Sequence, residues 1–234
     1  MGVIILIETA TEVCSVALAE DGQLISIRET DKGNSHSANV AVFIDEVLNE
    51  ARKKPADLDA VAVSKGPGSY TGLRIGVSSA KGLCYGLNIP LISIDTLKAM
   101  CFGVINENKN LDTNTLFCPM IDARRMEVYS ALYDFNLQQI RNVAADIVDE
   151  TTYIEFLEKH PVYFFGNGSQ KCIEVLSLHP NAHFIDNIQL SALNMIQLAE
   201  TKFKLQEFED SAYFEPFYLK DFIAAKPVVK GLYE

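Results

Sequence analysis

The chain has 234 residues, of which 48% are apolar, and its 31 acidic and 20 basic side chains give a formal net charge of -11. This composition is typical of a folded protein and excludes a disordered or collagen-like chain. Nucleic-acid binding by the chain alone is disfavoured, because affinity for phosphates depends on clustered Lys and Arg, and the longest basic run is Arg52-Lys53-Lys54.

The N-terminus and the cysteines indicate a cytoplasmic protein. The apolar run Val3–Ile7 follows no basic residue and ends at Glu8, so it is too short for a signal peptide or a membrane span. It is typical of a buried strand. The five cysteines are odd in number and form no Cys-x-x-Cys pair, so reduced, mostly buried thiols are expected.

The first half of the chain predicts three strands followed by alternating helices and strands. Asp21-Gly22 predicts a hairpin turn between the second and third strands. Ser35 and Ser37 are candidate caps of a helix that runs to about Lys53, and Asp95 is a candidate cap of the last helix. The predicted strands are Val3–Ile7, Cys14–Ala19, Gln23–Glu29, Ala60–Val63 and Leu91–Ile94, and the later helices run from about Tyr70 to Tyr85 and from Asp95 to about Val104.

The second half repeats the same order. Its predicted strands are Thr115–Ile121, Met126–Tyr133, Ile140–Val148, Val162–Phe165 and His183–Ile185, and its predicted helices are Thr151–Lys159, Gln170–Leu176 and Leu190–Phe208. Two βββαβαβα units in tandem predict an α/β protein with the duplicated actin-like, ribonuclease H-like (ASKHA) fold. A single unrelated α/β domain is the alternative.

The predicted lobes are residues 1–106 and 107–234, with a polar linker near residue 110. The aromatic segment Tyr213–Lys220 has no helical period. It either packs back on the first lobe or forms part of a partner surface, and the pattern does not choose between the two.

A ligand of such a fold is expected in the cleft between the lobes, near the turn that follows the first strand of each lobe. Those turns are Glu8–Thr11 and Asp122–Arg125. Each keeps an acid and neither has a glycine, and a Cβ hinders close approach of the backbone to a phosphate. Phosphoryl transfer is therefore disfavoured. The candidate contacts to a nucleotide or an anion are Thr9, Thr11, Asp122, Gly166 and Gly168, although a plain turn also explains the two glycines.

Neither a metal nor another cofactor is expected. His179 and His183 have four-residue spacing, but the Pro and Asn between them predict a loop, which does not place both imidazoles on one helix face. No Gly-x-Ser-x-Gly elbow occurs, and no cysteine lies in a recognisable nucleophile context. We expect no catalytic residue in this chain.

The segment Gly66–Gly86 follows a predicted strand and opens a helix. It lacks the Gly-Lys-Ser/Thr of a P-loop, and Thr71 stands where the dinucleotide fingerprint needs a glycine. Ser69 is a plausible cap, and the free amides near it are able to bind an anion. Each helical glycine costs roughly 1 kcal/mol relative to Ala, so close packing must offset the cost. Four small side chains at four-residue spacing form a small-residue ridge: Gly72, Gly76, Ala80 and Cys84.

The small-residue ridge has two interpretations, close packing against the chain's own sheet or against a helix of another subunit. A helix has two faces, so both are compatible with one helix.

Four segments resemble the TsaB (YeaZ) family, the glycoprotease-like proteins of bacterial tRNA threonylcarbamoyladenosine synthesis. They are Ile7–Leu18, His36-Ser37, Gly66–Gly86 and Asp122–Tyr129. The resemblance covers most of the chain. It implies the duplicated actin-like fold and a non-catalytic scaffold that pairs with the catalytic TsaD subunit and with the ATPase TsaE.

The resemblance also implies where this chain departs from its catalytic relatives. TsaD proteins bind a metal through His-x-x-x-His after the strand equivalent to Leu91–Ile94, and here Thr96 and Met100 stand at those positions. Two smaller departures from the TsaB pattern are Glu8, where Asp is usual, and Tyr70, where Phe is usual.

The partner surface implied by the resemblance lies on the helix that starts at His36 and on the helix with the small-residue ridge. Its expected residues are His36, Val40, Ser69, Gly72, Leu73, Gly76, Val77 and Ala80. The same surface is expected to form a homodimer that competes with the heterodimer. Little direct contact with tRNA and no contact with a membrane are expected. The alternatives are a metallopeptidase-like or ATP-binding enzyme and a regulatory homodimer.

Overall fold

A computed structural model describes residues 2–31 and 36–220. The first lobe is built on a five-stranded sheet with the order β3-β2-β1-β4-β5, in which β1 is antiparallel to β2 and parallel to β4. Its elements are β1 (Val3–Glu8), β2 (Cys14–Glu20), β3 (Gln23–Thr30), α1 (His36–Glu50), β4 (Ala60–Gly66), α2 (Tyr70–Leu87), β5 (Leu91–Asp95) and α3 (Thr96–Glu107).

The second lobe repeats this topology. Its sheet has the order β10-β9-β6-β7-β8, which is the first order read from the other edge. Its elements are β6 (Leu116–Asp122), β7 (Glu127–Tyr133), β8 (Gln139–Ile147), α4 (Ile154–Leu157), β9 (Val162–Phe165), α5 (Ile173–Leu176), β10 (Ala182–Ile185) and α6 (Ile196–Leu205). The predicted α/β class and the duplication of the βββαβαβα unit are confirmed.

The helices of the second half are shorter than predicted. Asp149 Oδ1 accepts hydrogen bonds from the hydroxyls of Thr151 and Thr152 at 2.8 and 2.9 Å, which holds this stretch in a turn and delays α4. The helix predicted over Gln170–Leu176 divides into a 3-10 turn and α5. The helix predicted over Leu190–Phe208 begins as a 3-10 turn at Ala192 and ends before Gln206, whose φ is +57°.

Two of the predicted helix caps do not act as caps. Ser37 is the second residue of α1, and Ser35 lies outside the described residues. Asp95 stands at the N-cap position of α3, but its side chain makes no cap hydrogen bond. Its Oδ1 instead pairs with Lys65 Nζ at 3.0 Å.

The second half of the chain also covers part of the first lobe. Residues 192–205 pack on one face of the first sheet, where Met195 and Ile196 meet Ile4 and Leu6. The C-terminal strap, residues 206–220, then runs along the same lobe. Glu209 N donates to Leu91 O at 2.9 Å. The lobe boundary at residues 106–107 stays a prediction.

A separate core cluster joins the lobes. It includes Ala10 and Leu73 of the first lobe, Met100 of α3, and Phe117 and Ile121 of β6. The turn after β1 and the end of β6 therefore lie at a shared, packed boundary. Within the described ranges, no helix is long and apolar enough to cross a bilayer.

Candidate functional site

The turn after β1, Glu8–Thr11, is buried. Glu8 has no exposed surface, and its Oε1 accepts hydrogen bonds from Ala10 N at 2.6 Å and Ser64 Oγ at 2.9 Å. Its Oε2 has no hydrogen-bond partner among the described residues. Removal from water disfavours the charged carboxylate, and burial raises the pKa of Glu8 to about 7. The acid at the end of β1 therefore faces the protein interior.

The loop from Gly66 to Gly72 lies directly on this turn. Ser69 N donates to Ala10 O at 2.7 Å, and Thr9 Oγ1 donates to Gly72 O at 2.8 Å. A Cβ at Gly68 would overlap Ala10 O, and one at Gly72 would overlap Thr9 O. These glycines thus permit backbone contact with the turn, and the chain itself fills the space beside it.

The small-residue ridge packs inside its own lobe. A Cβ at Gly76 would overlap Thr9 Oγ1, and Ala80 and Cys84 lie in the core cluster between α2 and the sheet. The close approach predicted from the spacing therefore occurs within the chain, on the turn and the sheet.

This packing leaves little of the expected partner surface accessible in the structure. Six of its residues are buried. They are Gly72 and Gly76, together with four side chains that expose at most 4% of their surface, Val40, Leu73, Val77 and Ala80. They are not available as a contact surface in this structure. His36 is half-buried and donates from Nε2 to Thr11 O at 2.8 Å. Ser69 is exposed and, as predicted, caps α2 by accepting from Gly72 N at 3.3 Å.

The opposite face of α2 is open. Tyr85 is 90% exposed, and a Cβ placed on Gly82 or Gly86 meets nothing within 4 Å. Arg74 and Ser78 are exposed on the same helix. Sequence reasoning missed this face because the buried ridge carries the more regular spacing of small residues.

The turn after β6, Asp122–Arg125, is exposed. Asp122 N donates to Asn167 Oδ1 at 3.0 Å, and Asp122 Oδ1 accepts from Arg124 N at 2.8 Å and pairs with Lys171. Both arginines have left-handed φ angles, +73° at Arg124 and +50° at Arg125. We refer to Asp122–Arg125 as the arginine turn.

A cleft of about 230 Å³ lies between the lobes, and only part of the predicted nucleotide set lines it. Thr11 and Gly166 are in its wall, together with Glu12 and Asn167, whose side chains bond across the lobes at 3.0 Å. Among the described residues that line the cleft, there is no Lys or Arg. This lining does not fit a phosphate, which would need a compensating positive charge.

The other predicted nucleotide contacts serve the protein interior or its surface. Thr9 is fully buried and bonded to Gly72, and Asp122 pairs with Lys171 outside the cleft wall. A Cβ at Gly168 would lie 2.8 Å from Ile121 C, so this glycine permits close packing on β6. These placements give no geometric support to a nucleotide at these residues.

The residues considered for a metal site make separate contacts with other parts of the protein. His179 Nδ1 accepts from Asn181 N at 3.2 Å, whereas His183 stacks on Tyr163 with ring centroids 4.9 Å apart. Thr96 Oγ1 accepts from Gly66 N at 3.0 Å. In the described parts of the chain, no group of three or more His, Cys, Asp or Glu side chains is arranged to hold a metal ion.

All five cysteines are free and buried. Burial raises the pKa of the Cys14 and Cys84 thiols to about 11, because desolvation disfavours the thiolate. The predicted burial of the thiols is confirmed.

Two lobes with one sheet topology, which meet at the turns after their first strands, define a duplicated actin-like α/β protein. The family model described as "TsaD: tRNA N6-adenosine threonylcarbamoyltransferase" matches residues 30–227. A "tRNA threonylcarbamoyladenosine biosynthesis protein TsaB" from Bacillus subtilis is 32% identical over 169 residues, which cover 71% of each chain. The protein of the same name from Haemophilus influenzae is 27% identical over 95% of each chain.

Among solved structures, "YeaZ from Pseudomonas aeruginosa" superposes with a TM-score of 0.76 and 23% identity, over 94% of this chain and all of that one. That likeness supports the fold. On the sequence matches, the chain belongs to the TsaB family of tRNA threonylcarbamoyladenosine biosynthesis proteins.

Proposed function

We propose that the chain is a non-catalytic, activating scaffold in the synthesis of tRNA N6-threonylcarbamoyladenosine. It pairs with a TsaD-like catalytic subunit, which a TsaE-like ATPase joins, and a homodimer competes for the same surface. The names of the TsaB relatives support the pathway, and the threonylcarbamoyltransferase family model supports the chemical class of the partner.

The observation that carries the non-catalytic role is the filled turn after β1. In a two-lobed fold this turn would hold a phosphate, and here the loop from Gly66 to Gly72 bonds to it through Ser69 N and Thr9 Oγ1. A catalytic phosphate would have to displace that loop and leave Glu8 beside it. Burial already disfavours a negative charge at Glu8, and it would disfavour a phosphate at the same position for the same reason.

The proposed partner surface is the open face of α2, in the lobe proposed as residues 1–106. Exposed Tyr residues are favoured in protein interfaces, and the glycines at 82 and 86 let a partner helix approach closely. A homodimer through this face must be self-complementary, which a single helix crossing its own symmetry mate satisfies.

Substitution of Tyr85 by Arg tests this surface. A charged side chain at the centre of a helix–helix contact should lower co-purification with the catalytic subunit at least tenfold, and lower tRNA modification with it. Leu178→Arg is the matched control, because Leu178 is 70% exposed on the second lobe. Equal co-purification of the Tyr85→Arg and Leu178→Arg proteins would contradict the proposed surface.

A further inference from the structure

The two guanidinium groups of the arginine turn have no hydrogen bond or ion pair to any residue that the structure describes. Arg124 and Arg125 are both exposed, and the hydrogen bonds of Arg124 are made by its backbone. An exposed pair of uncompensated arginines is unexpected in a chain with a net charge of -11. It marks a surface that is able to bind a negatively charged group.

Two acids near the turn are paired with lysines. Asp122 pairs with Lys171, and Glu127 pairs with Lys220, the last described residue of the C-terminal strap. A third acid, Glu12, reaches the turn through Asn167, so four cations meet three carboxylates here. The acidic average over the whole chain conceals this local positive excess.

The backbone holds the two arginines in a fixed arrangement. Ala123 N donates to Glu127 O at 3.0 Å, and Glu127 N donates to Arg124 O at 3.1 Å, which closes the turn. Both arginines adopt left-handed φ angles, which an L side chain disfavours and glycine would adopt without strain. The turn thus presents two charged side chains from a defined backbone position.

An aromatic ring accompanies the charges. Tyr129 of β7 lies within the electrostatic influence of Arg124 and Lys220. Guanidinium groups bind phosphates with two parallel hydrogen bonds, and rings offer stacking faces to unpaired bases. A tyrosine beside a free arginine therefore favours RNA over an acidic protein surface.

We propose that the arginine turn, together with Lys171 and Lys220, binds phosphates of the substrate tRNA in the assembled modification complex. This inference rests on the proposed function, which brings tRNA to the complex. The sequence predicts little direct contact with tRNA. The inference adds one contact, which is confined to phosphates at this turn.

The test measures tRNA affinity of the complex that contains this chain, the catalytic subunit and the ATPase, at several KCl concentrations. The probe is an unmodified tRNA transcript. Each lost phosphate contact lowers the slope of log K against log[salt] by about 0.7–0.9. The Arg124→Glu/Arg125→Glu protein should show a slope shallower by about 1–2, with affinity at least tenfold weaker at low salt.

Two controls separate charge at this turn from charge in general. Arg52→Glu changes an arginine that is also exposed, has a φ of +56°, and forms no ion pair with a residue that the structure describes. It should leave both slope and affinity unchanged. Arg124→Lys/Arg125→Lys keeps the charge and should retain most of the wild-type slope.

The outcomes distinguish this inference from the function on which it rests. If the wild-type complex modifies tRNA and the double Glu protein keeps the wild-type salt slope, the inference is overturned and the function stands. If the double Glu protein no longer binds the catalytic subunit, the turn is a protein contact and the inference is also overturned. If the chain is dispensable for modification, both fail.

Discussion

The turns after β1 and β6 hold the same place in the two lobes and have opposite environments. Glu8–Thr11 is buried under the loop from Gly66 to Gly72, whereas Asp122–Arg125 is exposed. Neither turn contains a glycine. The difference lies in the segments that follow the neighbouring strands.

In the first lobe, β4 leads through a glycine-rich loop into α2, a helix of 18 residues. The loop packs directly on the turn after β1. In the second lobe, β9 leads into a 3-10 turn and α5, a helix of four residues. There Gly168 packs on β6 and leaves the arginine turn uncovered. Duplication has thus given one lobe a closed turn and the other an open one.

The largest expected effect is at the closed turn. Gly72→Ala places a methyl group against Thr9 O, so the loop must move and the free energy of unfolding should fall by about 3 kcal/mol. Gly82→Ala, on the open face of the same helix, should raise it by up to about 1 kcal/mol through helix propensity. Urea unfolding measures both. Equal effects would contradict the packing of the loop on the turn.

The same overlap argument applies to Gly76. Replacement by Arg would disrupt the contact with Thr9 and unfold the lobe locally, so loss of partner binding by that variant would not identify a surface. Tyr85→Arg is the sounder interface test, because the Tyr85 side chain is exposed.

The next effect is the pH dependence contributed by Glu8. Burial raises the pKa of Glu8 in the folded protein to about 7, above its ordinary value of 4.5, so the folded state holds the proton more tightly. The associated stability is fully present below pH 4.5 and is lost as the pH rises through 7. The loss is roughly 3 kcal/mol in total.

Glu8→Gln should remove this dependence, so the variant should gain on the wild type as the pH rises from 5 to 9. Unfolding free energies at pH 5, 7 and 9 measure the difference. Glu12→Gln, at the exposed end of the same region, retains Glu8 and is the control. Parallel pH profiles for Glu8→Gln and the wild type would show that Glu8 does not titrate as described.

The smallest effect is expected at the open turn. Arg125→Gly relieves a left-handed φ at an exposed residue and should stabilise the chain by about 1 kcal/mol. A glycine at Lys109, an exposed residue without a positive φ, should give no gain. Destabilisation by Arg125→Gly in thermal unfolding would indicate that the arginine side chain supports the fold.

The strands were predictable because most are apolar runs or alternate apolar and polar residues, and the repeat of the pattern indicated two lobes. The short lengths of the helices in the second half were not predictable, because hydrogen bonds and backbone conformations in the flanking turns limit them. Asp149 binds the hydroxyls of Thr151 and Thr152, and Gln206 takes a left-handed conformation that apolar periodicity does not reveal.

The candidate site was only partly predictable. Four-residue spacing of small side chains indicates that another group approaches α2 closely. The spacing does not identify that group, which is Thr9 of the same lobe. Likewise, Arg124-Arg125 is visible in the sequence, but the pairing of the nearby acids with Lys171 and Lys220 depends on tertiary contacts.

The central claim is that this chain activates a catalytic partner and performs no chemistry itself. The most direct measurement is the yield of threonylcarbamoyladenosine on a tRNA transcript, with the catalytic subunit and the ATPase present and this chain either added or omitted. The account predicts modification only when the chain is added, and none from the chain alone. Full modification without the chain, or any modification by the chain alone, would contradict it.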